Sequence, residues 1–412
     1  MDFNNVLKRI RPDEKGMFAV VSAFLKQLNG EIKKKKLKAT AIAGGSIAKG
    51  TFLKGDHDVD IFIRFDKKYP NEKLSNLAES CLKKWKYERI HGSRDYFNIK
   101  IEGLKYEIIP VYDISTTNEA VNITDCSPLH AEWVLNQIAK KPKLRDDIRL
   151  TKAFCKAAEV YGAESHIRGF SGHMVDILTI YYGGFEEFLK GASSWKEKQV
   201  IDYFDIYKGR TLEMLNKSKI ESPLIVVDPI DPGRNASASI NKEKFDLFIS
   251  QAQEFLKHPS EEFFVKKKFS ITDIKKKYKN YKVIALDITP FSGKSDIVGS
   301  KVVKVLEYLR GELARHDFAL IDSNWSWPDE KMAVMWIVVD KKDLEKTMEW
   351  EGPPVANKKN VEKFKQKHKK TYVKDEKIYA TVQREYVNAE KLAAYLIKQH
   401  YVKEKVKKIT LA

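Results

Sequence analysis

Two aspartates separated by one residue stand inside an otherwise apolar segment, HDVDIFIRF at 57–65. Because side chains alternate between the two faces of a strand, Asp58 and Asp60 would share one face. Carboxylates placed in this way can hold two hard divalent cations, one near an attacking hydroxyl and one near a leaving pyrophosphate. The spacing therefore favours metal-dependent phosphoryl transfer, although a pair of this kind taken alone is also typical of solvated acids on an exposed strand.

A glycine-rich turn, Gly44-Gly45-Ser46, precedes the first of these aspartates by eleven intervening residues. A short helix opening at this turn would offer backbone N–H groups, the Ser46 hydroxyl and, within one turn, the Lys49 ammonium to a triphosphate. Such a turn is common on its own. The turn and the two aspartates together are more specific, and they predict a nucleoside triphosphate site beside the metals.

The elements that would position these groups form a small sheet domain. The pattern predicts alternating helices and strands, with a hairpin that turns at Gly103. The predicted elements are a helix at 16–29, strands at 37–44 and 57–65, a helix at 71–86, and hairpin strands at 95–102 and 104–112.

The remaining chain divides into a helical part and a second α/β part. Residues 128–256 show apolar side chains at helical spacing, interrupted by a short strand at 223–229. Residues 257–282 are lysine-rich and indicate a linker or a basic surface. A β-α-β-β pattern follows, then a basic segment at 352–376 after a Pro-Pro break and a final helix at 388–401.

We therefore predict an α+β multidomain protein. Its parts would be a catalytic sheet domain at 1–127, a helical domain at 128–256, and a basic α/β body and tail at 257–412.

The charge balance indicates a polyanionic partner. Among 412 residues there are 75 Lys and Arg against 57 Asp and Glu, a formal net charge of +18. Such an excess favours nucleic acid, although a lysine-rich surface adapted to heat or salt has the same composition.

The three cysteines form no CxxC unit, so neither a disulfide framework nor a structural zinc site is indicated. With no apolar stretch of membrane-spanning length, we expect a cytoplasmic protein that has no membrane partner.

The Gly-Ser turn and the D-x-D pair resemble the nucleotidyltransferase superfamily that includes DNA polymerase beta. That family has a third carboxylate on a neighbouring strand, and Glu107 in KYEIIPVY takes its position here. The family more often has Asp at this place, and a surface glutamate on a hairpin is the alternative. The resemblance implies that Asp58, Asp60 and Glu107 are the catalytic residues and bind Mg²⁺.

Later segments resemble the archaeal-type (class I) CCA-adding enzymes, which are tRNA nucleotidyltransferases. They are SPLHAEWV at 127–134, a long stretch at 152–178 that includes YGAE and RGFSGH, DPIDPGRN at 228–235, and GPPV at 352–355. The resemblance covers most of the chain. It implies six nucleotide-binding residues: Ser46, Lys49, His130, Lys152, Tyr161 and Arg234. Each also has a purely structural alternative, such as a solvated lysine or a helix-capping side chain.

The function implied by this resemblance is addition of C-C-A to the 3′ end of tRNA, using CTP and ATP, without a nucleic-acid template. The basic third of the chain would hold the acceptor end and upper stem of the tRNA. A homodimer is compatible with the sequence, which does not determine the oligomeric state. The alternatives are a poly(A)- or oligoadenylate-type nucleotidyltransferase, and an inactive RNA-binding homologue.

Overall fold

The computed structural model describes residues 1–56, 58–267, 269–327 and 331–412. These fall into two compact units, Met1–Lys267 and Lys268–Ala412. None of the described helices combines the length and the apolar character that crossing a bilayer requires.

A five-stranded sheet with flanking helices forms the N-terminal part of the first unit. Its strands lie in the order β1-β2-β5-β4-β3, and all neighbours are antiparallel except β2 and β5. In chain order the elements are α1 (Asn4–Ile10), α2 (Glu14–Lys34), β1 (Ala39–Ala43), α3 (Gly45–Lys49), β2 (Asp58–Phe65), α4 (Leu74–Cys81), β3 (Tyr87–Ile90), β4 (Tyr96–Ile101) and β5 (Leu104–Tyr112).

The predicted strands and hairpin of this sheet are present, with shifted bounds. The helix predicted at 71–86 is shorter than expected. Only a 3-10 turn and α4 are helical there, and β3 begins at Tyr87. Apolar side chains from α2 and from the buried face of the sheet form one core. That core fixes which face of β2 and β5 remains for polar side chains.

The second part of the first unit is mainly helical. It contains α5 (Ser127–Lys140), α6 (Leu144–Ala157), α7 (Gly172–Tyr182), α8 (Phe185–Ala192), β6 (Gln199–Asp202), α9 (Thr211–Met214), β7 (Leu224–Val227) and α10 (Lys242–Lys257). Its core is rich in phenylalanine. Buried Arg149 on α6 joins it to the sheet domain by donating hydrogen bonds to the carbonyl oxygens of Gly50 and Phe52.

The second unit contains two sheets. Its elements are α11 (Ile271–Lys277), β8 (Lys282–Thr289), α12 (Ser295–Arg315), β9 (Leu320–Ser326), β10 (Ala333–Val339), β11 (Thr347–Pro354), α13 (Lys358–Lys367), β12 (Thr371–Lys374), β13 (Lys377–Gln383), α14 (Ala389–Leu396), α15 (His400–Lys403) and β14 (Lys408–Leu411). The sheet orders are β14-β8-β10-β9 and β11-β13-β12.

The lysine-rich stretch at 257–282, interpreted as a linker or a basic surface, contains a 3-10 turn and α11 among its described residues. Two predictions for the second unit were wrong. The Pro-Pro pair does not break the structure, because both prolines lie in β11, an edge strand that tolerates the missing N–H. The predicted final helix is two short helices, and β14 follows them to pair with β8.

Candidate active site

Three carboxylates lie on one face of the parallel strand pair β2 and β5. In the register of these strands Asp60 is opposite Glu107, and Asp58 is opposite Lys105. Since residues two apart on a strand share a face, Asp58 and Asp60 lie on the same side as Glu107. The structure thus brings the three predicted metal-binding residues together.

Asp60 is the most enclosed of the three carboxylates. Burial, and next the negative charge of Glu107, raise the pKa of Asp60 to about 6, although Lys49 works in the opposite direction. Asp58, by contrast, has a side chain that is 73% exposed. Burial and the mutual repulsion of the carboxylates both disfavour the ionised form of Asp60, and a bound cation would offset both.

The glycine-rich turn approaches this cluster closely. The Gly44 N–H donates a hydrogen bond of 2.8 Å to the carbonyl oxygen of Asp60, and α3 begins at the next residue. A Cβ on Gly45 would lie 1.7 Å from Oδ2 of Asp60, and one on Gly44 would lie 2.2 Å from the Phe62 ring. Gly45 also has a φ of +51°. Only glycine satisfies both the space and the backbone conformation at position 45.

Two buried lysines meet one buried aspartate behind this turn. The Lys49 ammonium donates a hydrogen bond to Oδ2 of Asp176, a fully buried residue of α7. Lys152 on α6 donates to the carbonyl and hydroxyl oxygens of Thr51, at 3.2 and 3.1 Å, and its Nζ lies 4.0 Å from Oδ1 of Asp176. Burial lowers the pKa of Lys152 to about 8, while Asp176 opposes that shift. The pair of lysines therefore carries positive charge that a single carboxylate only partly offsets.

The turn before α7 places Tyr161 beside these lysines. Ser171 caps α7 by accepting a hydrogen bond from the Met174 N–H, and Tyr161 forms a parallel bridge with Phe170. A Cβ on Gly172 would lie 2.8 Å from the Tyr161 hydroxyl oxygen. Gly172 therefore leaves room for that hydroxyl group.

Asp228 is the centre of a second polar cluster. Its Oδ2 lies 3.2 Å from Nε2 of His130, 3.1 Å from Nε2 of His173 and 3.4 Å from Nη1 of Arg234. The centroids of the two imidazole rings are 4.0 Å apart. Burial lowers the pKa of His173 to about 4, so this ring is neutral at pH 7. Burial opposes ionisation of Asp228, but the contacts of its carboxylate with His130 and His173 outweigh this and hold its pKa far below the usual range.

The donor atoms of His130, His173 and Asp228 lie within 4.8 Å of one another, which is close enough for all three to contact one metal ion. The Arg234 guanidinium already contacts the same Asp228 oxygen, and its charge would repel a cation there. The hard oxygen donors of Asp58, Asp60 and Glu107 suit a hard divalent ion better.

One cavity of about 360 Å³ connects the turn, the sheet and the helical part. Its lining contains six of the nine predicted site residues: Ser46, Lys49, Asp60, His130, Lys152 and Tyr161. Of the other three, Asp58 and Glu107 neighbour Asp60 on the carboxylate face, and Arg234 is joined to the lining residues His130 and His173 through Asp228.

Sequence reasoning missed four residues of this site: Lys105, His173, Asp176 and Asp228. Asp176 carried a usable signal, since it is a single acid inside the apolar helix GHMVDILTIYY. A buried acid there requires a basic partner. Asp228 and His173 stood within quoted motifs, but their contact joins two segments distant in sequence and no spacing predicts it.

The chain matches three protein-family models in succession. A nucleotidyltransferase domain covers residues 25–130, the second domain of tRNA nucleotidyltransferase covers 146–265, and the C-terminal domain of the CCA-adding enzyme covers 292–409. The CCA-adding enzyme of Nanoarchaeum equitans is 34% identical over 337 residues, which is 81% of this chain and 81% of that enzyme. The CCA-adding enzyme of Methanocaldococcus jannaschii is 31% identical over 351 residues, 83% of this chain and 77% of that enzyme.

The chain belongs to the CCA-adding enzyme family. This confirms the predicted resemblance and the predicted α+β class with a nucleotidyltransferase domain. Nucleotidyltransferases of this family use divalent metal ions, and the carboxylate face described above fits such ions by donor type and by charge.

A solved structure is similar in fold to about two-thirds of the chain. A structure of Cid1, described as an RNA terminal uridylyl transferase, matches 64% of this chain and 97% of its own at a TM-score of 0.51. The identity is 13%, so this likeness shows the fold alone.

Proposed function

We propose that this protein completes the 3′ end of tRNA by adding C-C-A from CTP and ATP. The observation that carries the proposal is the 360 Å³ cavity, where Asp60, Ser46 and Lys49 of the sheet domain face Lys152 and Tyr161 of the helical part. Archaeal relatives named CCA-adding enzyme align with more than four-fifths of the chain, which favours this activity over poly(A) or oligoadenylate synthesis.

We assign the catalytic, metal-binding role to Asp58, Asp60 and Glu107. Their carboxylate oxygens are the hard ligands that Mg²⁺ prefers. When bound there, Mg²⁺ supplies positive charge that favours the alkoxide of the tRNA 3′ end and the departing pyrophosphate. Glu107 is one methylene longer than the aspartate usual in the family, and its place directly opposite Asp60 supports the assignment.

The triphosphate is proposed to lie between the glycine turn and the two buried lysines. Ser46 and the first N–H groups of α3 offer hydrogen bonds, and Lys49 and Lys152 supply charge. In the reaction the tRNA 3′ oxygen forms a bond to the α-phosphorus and loses its proton. The bond from that phosphorus to the pyrophosphate oxygen breaks, and pyrophosphate leaves.

The sugar and base are proposed to lie toward His130, Tyr161 and Arg234. Arg234 presents a planar fork of donors, which suits the acceptor edges shared by cytosine and adenine. Asp228 fixes the guanidinium from behind, with an Nη1 to Oδ2 distance of 3.4 Å. Neutral His173 packs against His130 and adds no charge to compete with Arg234.

The second unit is proposed to hold the acceptor end and upper stem of tRNA. A groove of about 610 Å³ on this unit is lined by Lys275, Lys279, Lys282 and Lys341 together with Tyr278 and Tyr281. Closely spaced ammonium groups and aromatic rings suit a phosphate backbone.

The division of the chain into parts at 1–127, 128–256 and 257–412 stays a prediction. The cytoplasmic location and the homodimer are also predictions, and sedimentation velocity would test the dimer.

The test is an extension assay, in which the protein and Mg²⁺ are incubated with a tRNA transcript that lacks its CCA end. Labelled nucleoside triphosphates are supplied singly and together, and the nucleotides added to the transcript are measured. Two C residues with CTP alone, completed by one A when ATP is added, would establish the proposal. Long A tails would indicate a poly(A)-type polymerase. Tight tRNA binding without incorporation would indicate an inactive RNA-binding homologue.

A further inference from the structure

A lysine side chain lies among the proposed metal ligands. Lys105 precedes Glu107 by two residues on β5 and is opposite Asp58 on β2. Its Nζ lies 2.6 Å from Oε1 of Glu107 and 3.7 Å from Oδ1 of Asp58. One ammonium group therefore contacts two of the three carboxylates on this face.

An ammonium and a divalent ion place the same demand on these oxygens. Both take lone pairs from carboxylates, and two cations that share the same oxygens repel each other. Asp60 is partly buried and lines the cavity, whereas the Asp58 side chain is 73% exposed. Lys105 therefore competes for the solvent-exposed side of the cluster, between Asp58 and Glu107. We call a divalent ion bound there the outer divalent ion.

The surroundings allow Lys105 to leave this position. Its side chain is 35% exposed, and a lysine has a flexible four-carbon stem that can turn its ammonium into solvent without a change in the backbone. A half-exposed ion pair contributes little to folding stability, so the contact matters more for charge balance at the site than for the fold.

We propose that Lys105 is an internal counter-cation of the carboxylate face that competes with the outer divalent ion for Asp58 and Glu107. Lys105 lowers the affinity of the site for this ion, and its ammonium moves away when the ion binds. The inference rests on the proposed function, because it takes Asp58, Asp60 and Glu107 as the metal ligands.

The test measures Mn²⁺ binding to the full chain by electron paramagnetic resonance, without nucleotide. Lys105→Met and Lys105→Gln remove the charge and keep most of the stem, so Kd for Mn²⁺ should fall about fivefold. Lys105→Arg keeps the charge and should bind Mn²⁺ like the unsubstituted protein. Lys100→Met is the matched control, because Lys100 is an exposed lysine that pairs with Lys105 across β4 and β5.

An unchanged or weaker Mn²⁺ affinity in both Lys105→Met and Lys105→Gln would overturn the proposal. So would an equal gain in Lys100→Met, since that would reflect net charge rather than the contact. Asp60→Asn distinguishes a failure of the proposed function. If Asp60→Asn left all Mn²⁺ binding unchanged, the metal site itself would be misassigned, and the role of Lys105 would be rejected with it.

Discussion

Asp60 on β2 lies directly opposite Glu107 on β5, in the one parallel strand pair of the described catalytic sheet. The pairing brings together two carboxylates that are 47 residues apart in sequence, and the charge of Glu107 helps to raise the pKa of Asp60 to about 6, after burial. This repulsion disfavours the charged cluster by itself and favours its binding of a divalent cation.

Gly45→Ala should remove activity. The new Cβ would lie 1.7 Å from Oδ2 of Asp60, at a φ of +51° that alanine disfavours. We expect Asp60 to be displaced and the free energy of unfolding to fall by about 2 kcal/mol. Urea denaturation and CTP incorporation measure the two effects. Gly55→Ala is the control, because its φ is +89° but no atom lies within 4 Å of the added Cβ; activity equal in the two variants would contradict the role of the close approach.

Asp176→Asn should destabilise the protein. Asp176 is fully buried between Lys49 and Lys152, so removal of its charge leaves two enclosed ammonium groups without a counter-ion. The expected loss is about 3 kcal/mol in the free energy of unfolding, measured by urea denaturation. The exposed pair of Lys242 and Asp246 provides a control, and Asp246→Asn should cost about 0.5 kcal/mol or less. A comparable small cost for Asp176→Asn would contradict the account.

Nucleotide affinity should fall as the pH rises through about 8. Burial holds the pKa of Lys152 at about 8, so this side chain loses its proton, and its attraction for a triphosphate, above that value. The binding of CTP, measured by calorimetry between pH 7 and 9.5, should show this decline. In Lys152→Arg the charge persists over the whole range, and the decline should disappear. The same slope in both proteins would show that another group causes it.

Arg234→Lys should weaken nucleotide selection more than catalysis. Lysine keeps the charge but loses the planar fork, so the preference for CTP over UTP in kcat/KM should fall about tenfold. Competition between the two labelled nucleotides measures this ratio. Arg210→Lys, at an exposed arginine of the same compact unit, should leave the ratio unchanged. An unchanged ratio in Arg234→Lys would remove this residue from base recognition.

The sequence was sufficient to predict the local parts of the site. The alternation in HDVDIFIRF placed Asp58 and Asp60 on one face, and Gly103 marked the hairpin that leads to Glu107. The parallel pairing of β2 with β5 has no local signal, because α4, β3 and β4 separate these two strands in the chain. Only the family resemblance pointed to Glu107.

The parts that sequence reasoning missed depend on contacts between distant segments. The sheet β11-β13-β12 was not predicted, because a Pro-Pro pair usually indicates a break in regular structure. The prolines are tolerated here because β11 is an edge strand. Strand β14 has four residues, too few for a recognisable pattern, and exists through its pairing with β8. Lys105 stands two residues from Glu107, but its contact with Asp58 depends on the pairing of β5 with β2.

Asp60→Asn in the tRNA extension assay, with tRNA binding measured on the same sample, tests whether the carboxylate face carries the chemistry. We expect CTP incorporation to fall about a thousandfold or more, because the amide cannot hold the divalent ion, while tRNA affinity is retained. Asp113→Asn, at an exposed aspartate of the same sheet domain, should incorporate CTP normally. Incorporation by Asp60→Asn at the rate of the unsubstituted protein would show that the chemistry does not take place on this face.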